Sequence, residues 1–290
     1  MNYLYPKQIA WYYQAGDIFF SLLRILLKSS WKKRERMQRK HPRCLILANA
    51  PSLNRQLEND PDFANDCDVW VVNHFVQSDL FRRIRPHAYL MCDPAFYGQA
   101  ANETANENAR KTLHALQEQT DWDMYLLFPR IGKNSARLQA SAAANEHLRL
   151  LFFNSTRIDD FGRLSYRLYE RGLGMPRPQN VLIAALTLAL SEGYETICLA
   201  GADNDWMAHT WVDNDNRLRR DDLHFYQDDK SAHAMFLNIT MPDFCASMYY
   251  TFNGYHTIEN YRKTLHPHTS IINLSENSYI DAFPKPRMKQ

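Results

Sequence analysis

Short apolar runs alternate along the chain with longer segments of helical period. Residues 44–48, 68–72, 88–92, 124–128 and 148–153 are five such runs, each too short for a helix and apolar throughout except for Asp68 and Arg149. That is how strands read when both faces of a parallel sheet are covered. Residues 106–119 and 180–192 carry the helical period between them. Strand alternating with helix predicts an α/β fold, a Rossmann-like parallel sheet sandwiched by helices. Nearly every run stops at a polar residue or a proline: Asn49, Asn73, Asp93-Pro94, Pro129 and Asn154. The loops that follow are therefore expected along one edge of the sheet. No internal repeat breaks the pattern.

A sixth run, 196–200, follows Gly193 and ends in Gly201-Ala202-Asp203-Asn204-Asp205. A buried strand ending in glycine and carboxylates marks the edge where open α/β sheets place ligands. The stretch after it is rich in Asp, Asn, His and Trp and shows neither helical nor strand period. Its aromatics (Trp206, Trp211, Phe225, Tyr226) argue against disorder, so 204–232 is expected to be an active-site lid. Beyond it, 231–265 reads as mostly helical with interruptions near Pro242 and Gly254, 269–273 as a last strand and 281–290 as a tail. The expected division is a head at 1–42, a ligand-binding part at 43–203, the lid, and 233–290 completing the same domain.

Residues 8–27 read as an amphipathic helix in which Ile9, Tyr12, Tyr13, Phe19, Phe20, Leu23, Leu26 and Leu27 recur near helical spacing. Ser21 and Arg24 interrupt its most apolar part, which is too short and too polar to span a bilayer. The basic residues follow the apolar stretch and no small-residue cleavage site is present, unlike a signal peptide. Charge sharpens this picture. Residues 1–43 carry ten Lys/Arg against two Asp/Glu, and this +8 leaves the other residues at −6 within an overall +2. An aromatic amphipathic helix followed by a basic cluster predicts contact with an anionic membrane surface through residues 8–43. The basic residues do not continue into the body, so no nucleic-acid partner is expected. A helix packed on the body or against a second copy of the chain accounts for the same pattern. The five cysteines are scattered without CxxC spacing, which predicts no disulfide framework, no zinc site and a reducing cytoplasm.

The sequence carries neither GxGxxG after the first strand nor GxxxxGK[ST]. Ala48-Asn49-Ala50-Pro51-Ser52-Leu53 stands in their place. Its small residues permit close backbone approach, Ser52 can cap the next helix, and the N–H groups there would suit a phosphate. Asn49, Asn73 and Asp93 each end a strand, and amides offer a base or ribose both a donor and an acceptor. His224, in Asp221-Asp222-Leu223-His224-Phe225-Tyr226, has carboxylates beside it and suits a general base, with His209 as a second candidate. Asp203 and Asp205 form a candidate metal pair, and 213–216 adds Asp and Asn oxygens without the glycine and distal Glu of an EF-hand. Each of these residues also suits an ordinary polar turn.

Together these residues resemble a family. The order is strand-Asn-x-Pro-Ser-Leu, strand-Asn, strand-Asp-Pro, helix-Gly-Tyr-Glu-x-Ile-x-Leu-x-Gly-x-Asp, then a segment with His-x-Tyr. It is similar to the bacterial lipooligosaccharide sialyltransferases (glycosyltransferase family 42) and the related motility-accessory-factor and pterin-pyrophosphokinase-like domains, over roughly residues 43–275. The resemblance implies a GT-A variant of the Rossmann-like fold and inverting transfer from a nucleotide sugar, CMP-sialic acid or a related nonulosonate, with no obligatory metal or other cofactor. It implies a glycan acceptor, an oligosaccharide or a lipid-linked one, in bacterial surface polysaccharide or lipopolysaccharide synthesis at the cytoplasmic face of the cell membrane. By position, Asn49, Ala50 and Ser52 resemble the nucleotide-phosphate loop and Asn73 the next nucleotide-binding Asn. Gly201, Asp203 and Asn204 match the strand end, and His224 with Tyr226 matches the segment bearing the base. Tyr226, Arg219 or Arg220 would stabilise the departing phosphate. The chain departs at Asp93, where the family has Asn, at Gln179 and Asn180, where it has Ser-Gly, and in Ala-Asn-Ala, where it has Gly-Asn-Gly. These departures bear on the donor sugar more than on the reaction class. Two other functions fit the same motifs. One is a pyrophosphokinase holding Mg²⁺ through Asp203 and Asp205, and the other is a nucleotide-sugar-binding accessory protein without catalysis.

Overall fold

The computed structural model describes residues 10–59, 62–100, 103–221 and 234–286. In chain order the first elements are α1 (Ala10–Lys28), β1 (Arg43–Leu47), α2 (Ser52–Asn59), β2 (Asp68–Val72), α3 (Leu80–Ile84) and β3 (Ala88–Leu90). There follow α4 (Glu103–Gln119), β4 (Met124–Pro129), α5 (Ala136–Ala143), β5 (Leu148–Phe153), α6 (Arg163–Glu170), α7 (Val181–Glu192) and β6 (Thr196–Ala200). The last are β7 (Thr210–Val212), β8 (Leu218–Asp221), β9 (Ala234–Phe236), α8 (Met241–Leu265) and β10 (Ser270–Asn273).

Seven strands form one sheet in the order β10-β6-β1-β2-β3-β4-β5, every neighbouring pair parallel. This is the Rossmann-like α/β fold expected from the alternation of runs. Because side chains alternate across a strand, β1 divides between two cores: Cys44 and Ile46 face one, Leu45 and Leu47 the other. The first core takes its helical side from α6, α7 and α8, and the second from α2, α3, α4 and α5. Helix α7 is buried from Leu182 to Glu192, as a helix apolar on all sides must be. The chain builds outward from β1 to β5, then returns to place β6 on the other side of β1.

The structure corrects three expectations. The stretch that shows no strand period contains β7 and β8, and β9 falls in the segment expected to be mostly helical; the three pair antiparallel into a second, three-stranded sheet. Leu218 of that sheet packs with Phe244 and Met248 of α8 in a small separate cluster. Neither Pro242 nor Gly254 interrupts α8. Pro242 lies in the first turn, behind a capping box in which Thr240 and Asp243 bond each other's backbone N–H, where a proline's missing donor costs nothing. The segment after Asp281 is not free up to residue 286: Phe283 is buried in the core, and Pro284 O accepts from Asn273 N–H at 2.9 Å.

The head is stitched to the body. Ser21 and Arg24 of α1 bond Asp159, the guanidinium at 2.8 Å. Ser29 Oγ donates to Leu173 O, and Ser30 N–H donates to Asn154 Oδ1 at 3.0 Å. Part of the basic cluster is spent on the body as well. Arg34 pairs with Glu192, Arg36 lies 3.8 Å from Glu170, and Arg39 donates to Gly193 O. Among the described residues no helix is long and apolar enough to cross a membrane.

The absence of a side chain at Gly254 is set by packing rather than by backbone conformation. A Cβ there would stand 2.7 Å from Cδ1 of Ile183, on α7. Ala favours a helix interior over Gly by about 1 kcal/mol, yet Gly254→Ala is expected to lower stability because of this contact. Ile183→Val removes the offending carbon and by itself costs about 0.5–1.5 kcal/mol. In urea melts the double variant is expected to exceed the sum of the two singles by at least about 0.5 kcal/mol. Strict additivity would show that the contact is not the cause.

Candidate functional site

The return of the chain makes β1 and β6 neighbours whose following loops diverge, the switch point at which open parallel sheets bind ligands. Ala48 N–H donates to Ala200 O at 2.9 Å and Ala50 N–H to Gly201 O at 3.0 Å, so the two strand ends lie against each other. Gly201 has φ +63°, and a Cβ on it would meet Ala48 O at 2.9 Å. Only glycine fits both demands. Asn73 and Asn204 also take left-handed backbone, at φ 55° and 52°, a conformation Asn tolerates better than most residues. These sharp strand ends open a cavity of about 430 Å³, walled from the β1, β2, β3 and β6 loops and the start of α7.

The cavity brings together Asn49, Ala50, Asn73, Asp93, Gln179, Asn180, Gly201, Asp203, Asn204 and His209. Ser52 lies just behind them, its hydroxyl bonded to Asp203 Oδ1. Asn49 Nδ2 donates to Val72 O at 3.3 Å, while its buried Oδ1 has no hydrogen-bond partner among the described residues. Gln179 Nε2 donates to Ser247 Oγ at 2.8 Å. Asn180 caps α7 by accepting from Ile183 N–H, and its Nδ2 donates to Tyr255 Oη at 2.7 Å. Asn204 Nδ2 donates to the same Tyr255 oxygen, also at 2.7 Å. Burial pushes the Tyr255 hydroxyl well above its ordinary pKa despite these two amide donors, so it stays a neutral acceptor. Tyr255 is the residue the sequence hides. Its spacing to Ile258 and Tyr261 marks a buried helix face, but partners 75 and 51 residues away leave no local signal.

Two expected roles change. Ser52 is not the cap of α2: it is the first residue of the helix, and the Asp203 carboxylate accepts from both its hydroxyl and its N–H, the latter at 3.3 Å. The expected phosphate cradle is closed, because Ala50 N–H is bonded to Gly201 O, Ser52 N–H to Asp203 and Leu53 N–H to Ala50 O. Asp93 likewise turns Oδ1 onto Ala95 N–H at 2.7 Å and caps the short 3-10 turn Pro94–Tyr97.

His209 enters from the second sheet. A turn at Trp206–Ala208 places its Nε2 3.0 Å from Asp205 Oδ2, and its backbone O accepts from Asp221 N–H. Each of the two side chains is about one-third exposed, and Trp206 and Asp221 complete this wall. Arg219 and Arg220 do not line the cavity, and Arg219 Nε donates to Asp213 at 2.7 Å. Asp213 holds the turn between β7 and β8 through the N–H groups of Asp215 and Arg217, and these bonds, with that of Arg219 foremost, keep its carboxyl below the ordinary range. His224 and Tyr226 lie outside the described residues.

Among the described lining residues, Asp93, Asp203, Asp205 and Asp221 are acidic, and none is Lys or Arg. The wall is thus rich in hydrogen-bond acceptors and suits a ligand with many hydroxyl or amino donors. Burial pushes the Cys92 thiol up to about 12, with Asp93 adding to the effect, so this lining cysteine is no thiolate nucleophile near neutrality. The proposed metal pair is divided, Asp203 facing Ser52 and Asp205 facing His209.

No protein-family model matches the chain, and no curated protein matches it. Among solved structures it is similar to the MAf glycosyltransferase from Magnetospirillum magneticum AMB-1, with a TM-score of 0.48 and 12% sequence identity. The match covers 94% of this chain and 38% of that one, so the chain spans under two-fifths of that protein's length.

Tyr255→Phe removes the acceptor shared by Asn180 and Asn204 and strands their amide donors in the interior. The expected cost is about 1–3 kcal/mol in chemical denaturation, since a buried donor left unpaired loses its solvation. In a double-mutant cycle with Asn204→Ala the two losses are expected to be non-additive. Additive losses would mean that the tyrosine holds the cavity wall through some other contact.

Proposed function

We propose that the chain transfers a sugar from a nucleotide-activated donor to a glycan hydroxyl. The donor class is the one implied by the sequence resemblance, a CMP-linked sialic acid or related nonulosonate. The acceptor is an oligosaccharide or lipid-linked glycan of a bacterial surface polysaccharide, reached from the cytoplasmic side of the membrane. The observation that best supports this reading is the acceptor-rich cavity at the β1/β6 switch point with the His209–Asp205 pair in its wall. Ribose and sugar hydroxyls donate to carboxylates and amide oxygens of the kind that line this cavity.

In this reading His209 is the general base. Asp205 accepts from Nε2–H and fixes the tautomer, leaving Nδ1 to take the proton of the acceptor hydroxyl. The hydroxyl oxygen bonds to the anomeric carbon as the bond from that carbon to the donor phosphate oxygen breaks, and the nucleotide leaves with the electron pair. Arg177, directly before Pro178 of the wall and stacked 3.9 Å from the Tyr250 ring centroid, is the cation assigned to that phosphate. The pyrophosphokinase alternative is the less favoured reading, because the Asp203 and Asp205 carboxylates are engaged by different protein groups, Ser52 and His209.

A panel of CMP, CDP, UDP, GDP and ATP, each with and without Mg²⁺, tests the reading by thermal stabilisation. Ligand at about a hundred times Kd stabilises by about 2.7 kcal/mol, and a shift with CMP that needs no Mg²⁺ is expected. A shift with ATP and Mg²⁺ alone would favour diphosphate transfer. His209→Ala is expected to keep the CMP shift while lowering turnover of CMP-sialic acid about 10²–10⁴-fold. Undiminished turnover in that variant would remove His209 from the chemistry.

A further inference from the structure

Helix α1 is mounted with its apolar arc outward. Ser21 and Ile25 are its buried contacts, and Ser21 and Arg24 are tied to Asp159. Phe19, Phe20, Leu22, Leu23, Leu26 and Leu27 are exposed, with Phe19 at 61%, Leu26 at 67% and Leu27 at 72%. At 100° per residue these six side chains cover a continuous arc of about 160°. No described residue packs over them. A soluble protein buries such a stripe unless something else covers it.

The surroundings of the stripe indicate the cover. At its C-terminal end Trp31 is 66% exposed, and Lys28, Lys32 and Lys33 are exposed without an ion pair among the described residues. Directly beside them a cleft of about 380 Å³ is lined by Trp31, Lys33, Arg34, Arg36 and Arg171, with Glu170 as its one acidic lining residue. That carboxylate is already held by the Tyr261 hydroxyl and His266 Nε2. An apolar stripe, an exposed tryptophan and a net-cationic cleft in succession match the layers of an anionic bilayer: acyl boundary, interface and phosphate. Within the cleft Arg34 is paired with Glu192 and Arg36 lies 3.8 Å from Glu170, which leaves Lys33 and Arg171 as the cations that face an incoming anion. Ser30 bonds Asn154 just past the end of β5, the outermost strand of the sheet, and so fixes where α1 leaves the body.

We propose that α1 and residues 31–36 form a membrane-docking surface, the apolar arc entering an anionic bilayer and the adjacent cleft taking a phospholipid phosphate. This surface does not depend on which reaction the cavity performs.

Co-sedimentation of the full chain with phosphatidylcholine vesicles, with and without phosphatidylglycerol, tests it. Binding is expected on the anionic vesicles only and is expected to fall with salt. Phe20→Ser/Leu27→Ser changes exposed residues, so the thermal midpoint and the CMP shift should hold while vesicle binding is lost. Lys32→Glu/Lys33→Glu is expected to weaken binding at least about tenfold, from the contribution of each surface-proximal basic residue. Equal binding to neutral vesicles would overturn the phosphate site. Failure to bind any vesicle, or a dimer in solution that Phe20→Ser/Leu27→Ser dissociates, would overturn the membrane assignment in favour of contact between copies.

Discussion

A buried carboxylate holds the site together. Asp203, 5% exposed at the end of β6, accepts from the hydroxyl and N–H of Ser52 and so fixes the start of α2. Its own backbone O accepts from Tyr279 N–H, and the preceding Ala202 is bonded at both N–H and O by Ser275 and Ser278. One turn of chain therefore ties the loop after β1, the loop after β6 and the C-terminal segment into a single rigid edge. A charge taken out of water is tolerated only when hydrogen-bonded, and here the donors come from a part of the chain 151 residues away. That requirement makes the edge a fixed wall, and the positive φ of Gly201 and Asn204 follows from the same tight fit.

The parallel sheet was legible because its signal is local. Runs such as 69–72 are apolar at every position, and their ends carry the polar residues that punctuate them. The gathering of Asn49, Asn73, Asp93 and Asn204 at one cavity then follows from topology, since parallel strands put all their C-terminal ends together. What each residue does there was not legible. Asp203 and Ser52 read separately as a metal ligand and a cap, and only their contact shows that each satisfies the other. The second sheet escaped notice for a related reason. Its strands span three or four residues, too few for a period to emerge, and they are stabilised by Phe244 and Met248 from a later helix. Gly254 and Pro242 were misread because a glycine can mark a close helix crossing, and a proline a helix start, as readily as a break.

Closure of the Ala50–Leu53 N–H groups changes what the cavity offers. In phosphate-cradling turns those donors face the ligand, whereas here they face Gly201 O, Asp203 and Ala50 O. The polar part of the described wall is made of carboxylates, amides and His209 set among small and apolar residues, and no Lys or Arg is among them. The described lining thus offers acceptors for hydroxyl and amino donors and no guanidinium or ammonium group.

The three-stranded sheet has a further consequence. Its buried apolar anchorage is Leu218 against Phe244 and Met248, a cluster separate from the two that flank the parallel sheet. So small a core supports only a low local opening free energy, while the strands of the main sheet open only with the whole molecule. His209 and Asp205 border the weaker unit, whereas Asn49, Asn73 and Asp203 belong to the stronger one. The two sides of the cavity are thus anchored in two units of unequal packing, one by the small cluster on α8 and the other by the cores of the parallel sheet.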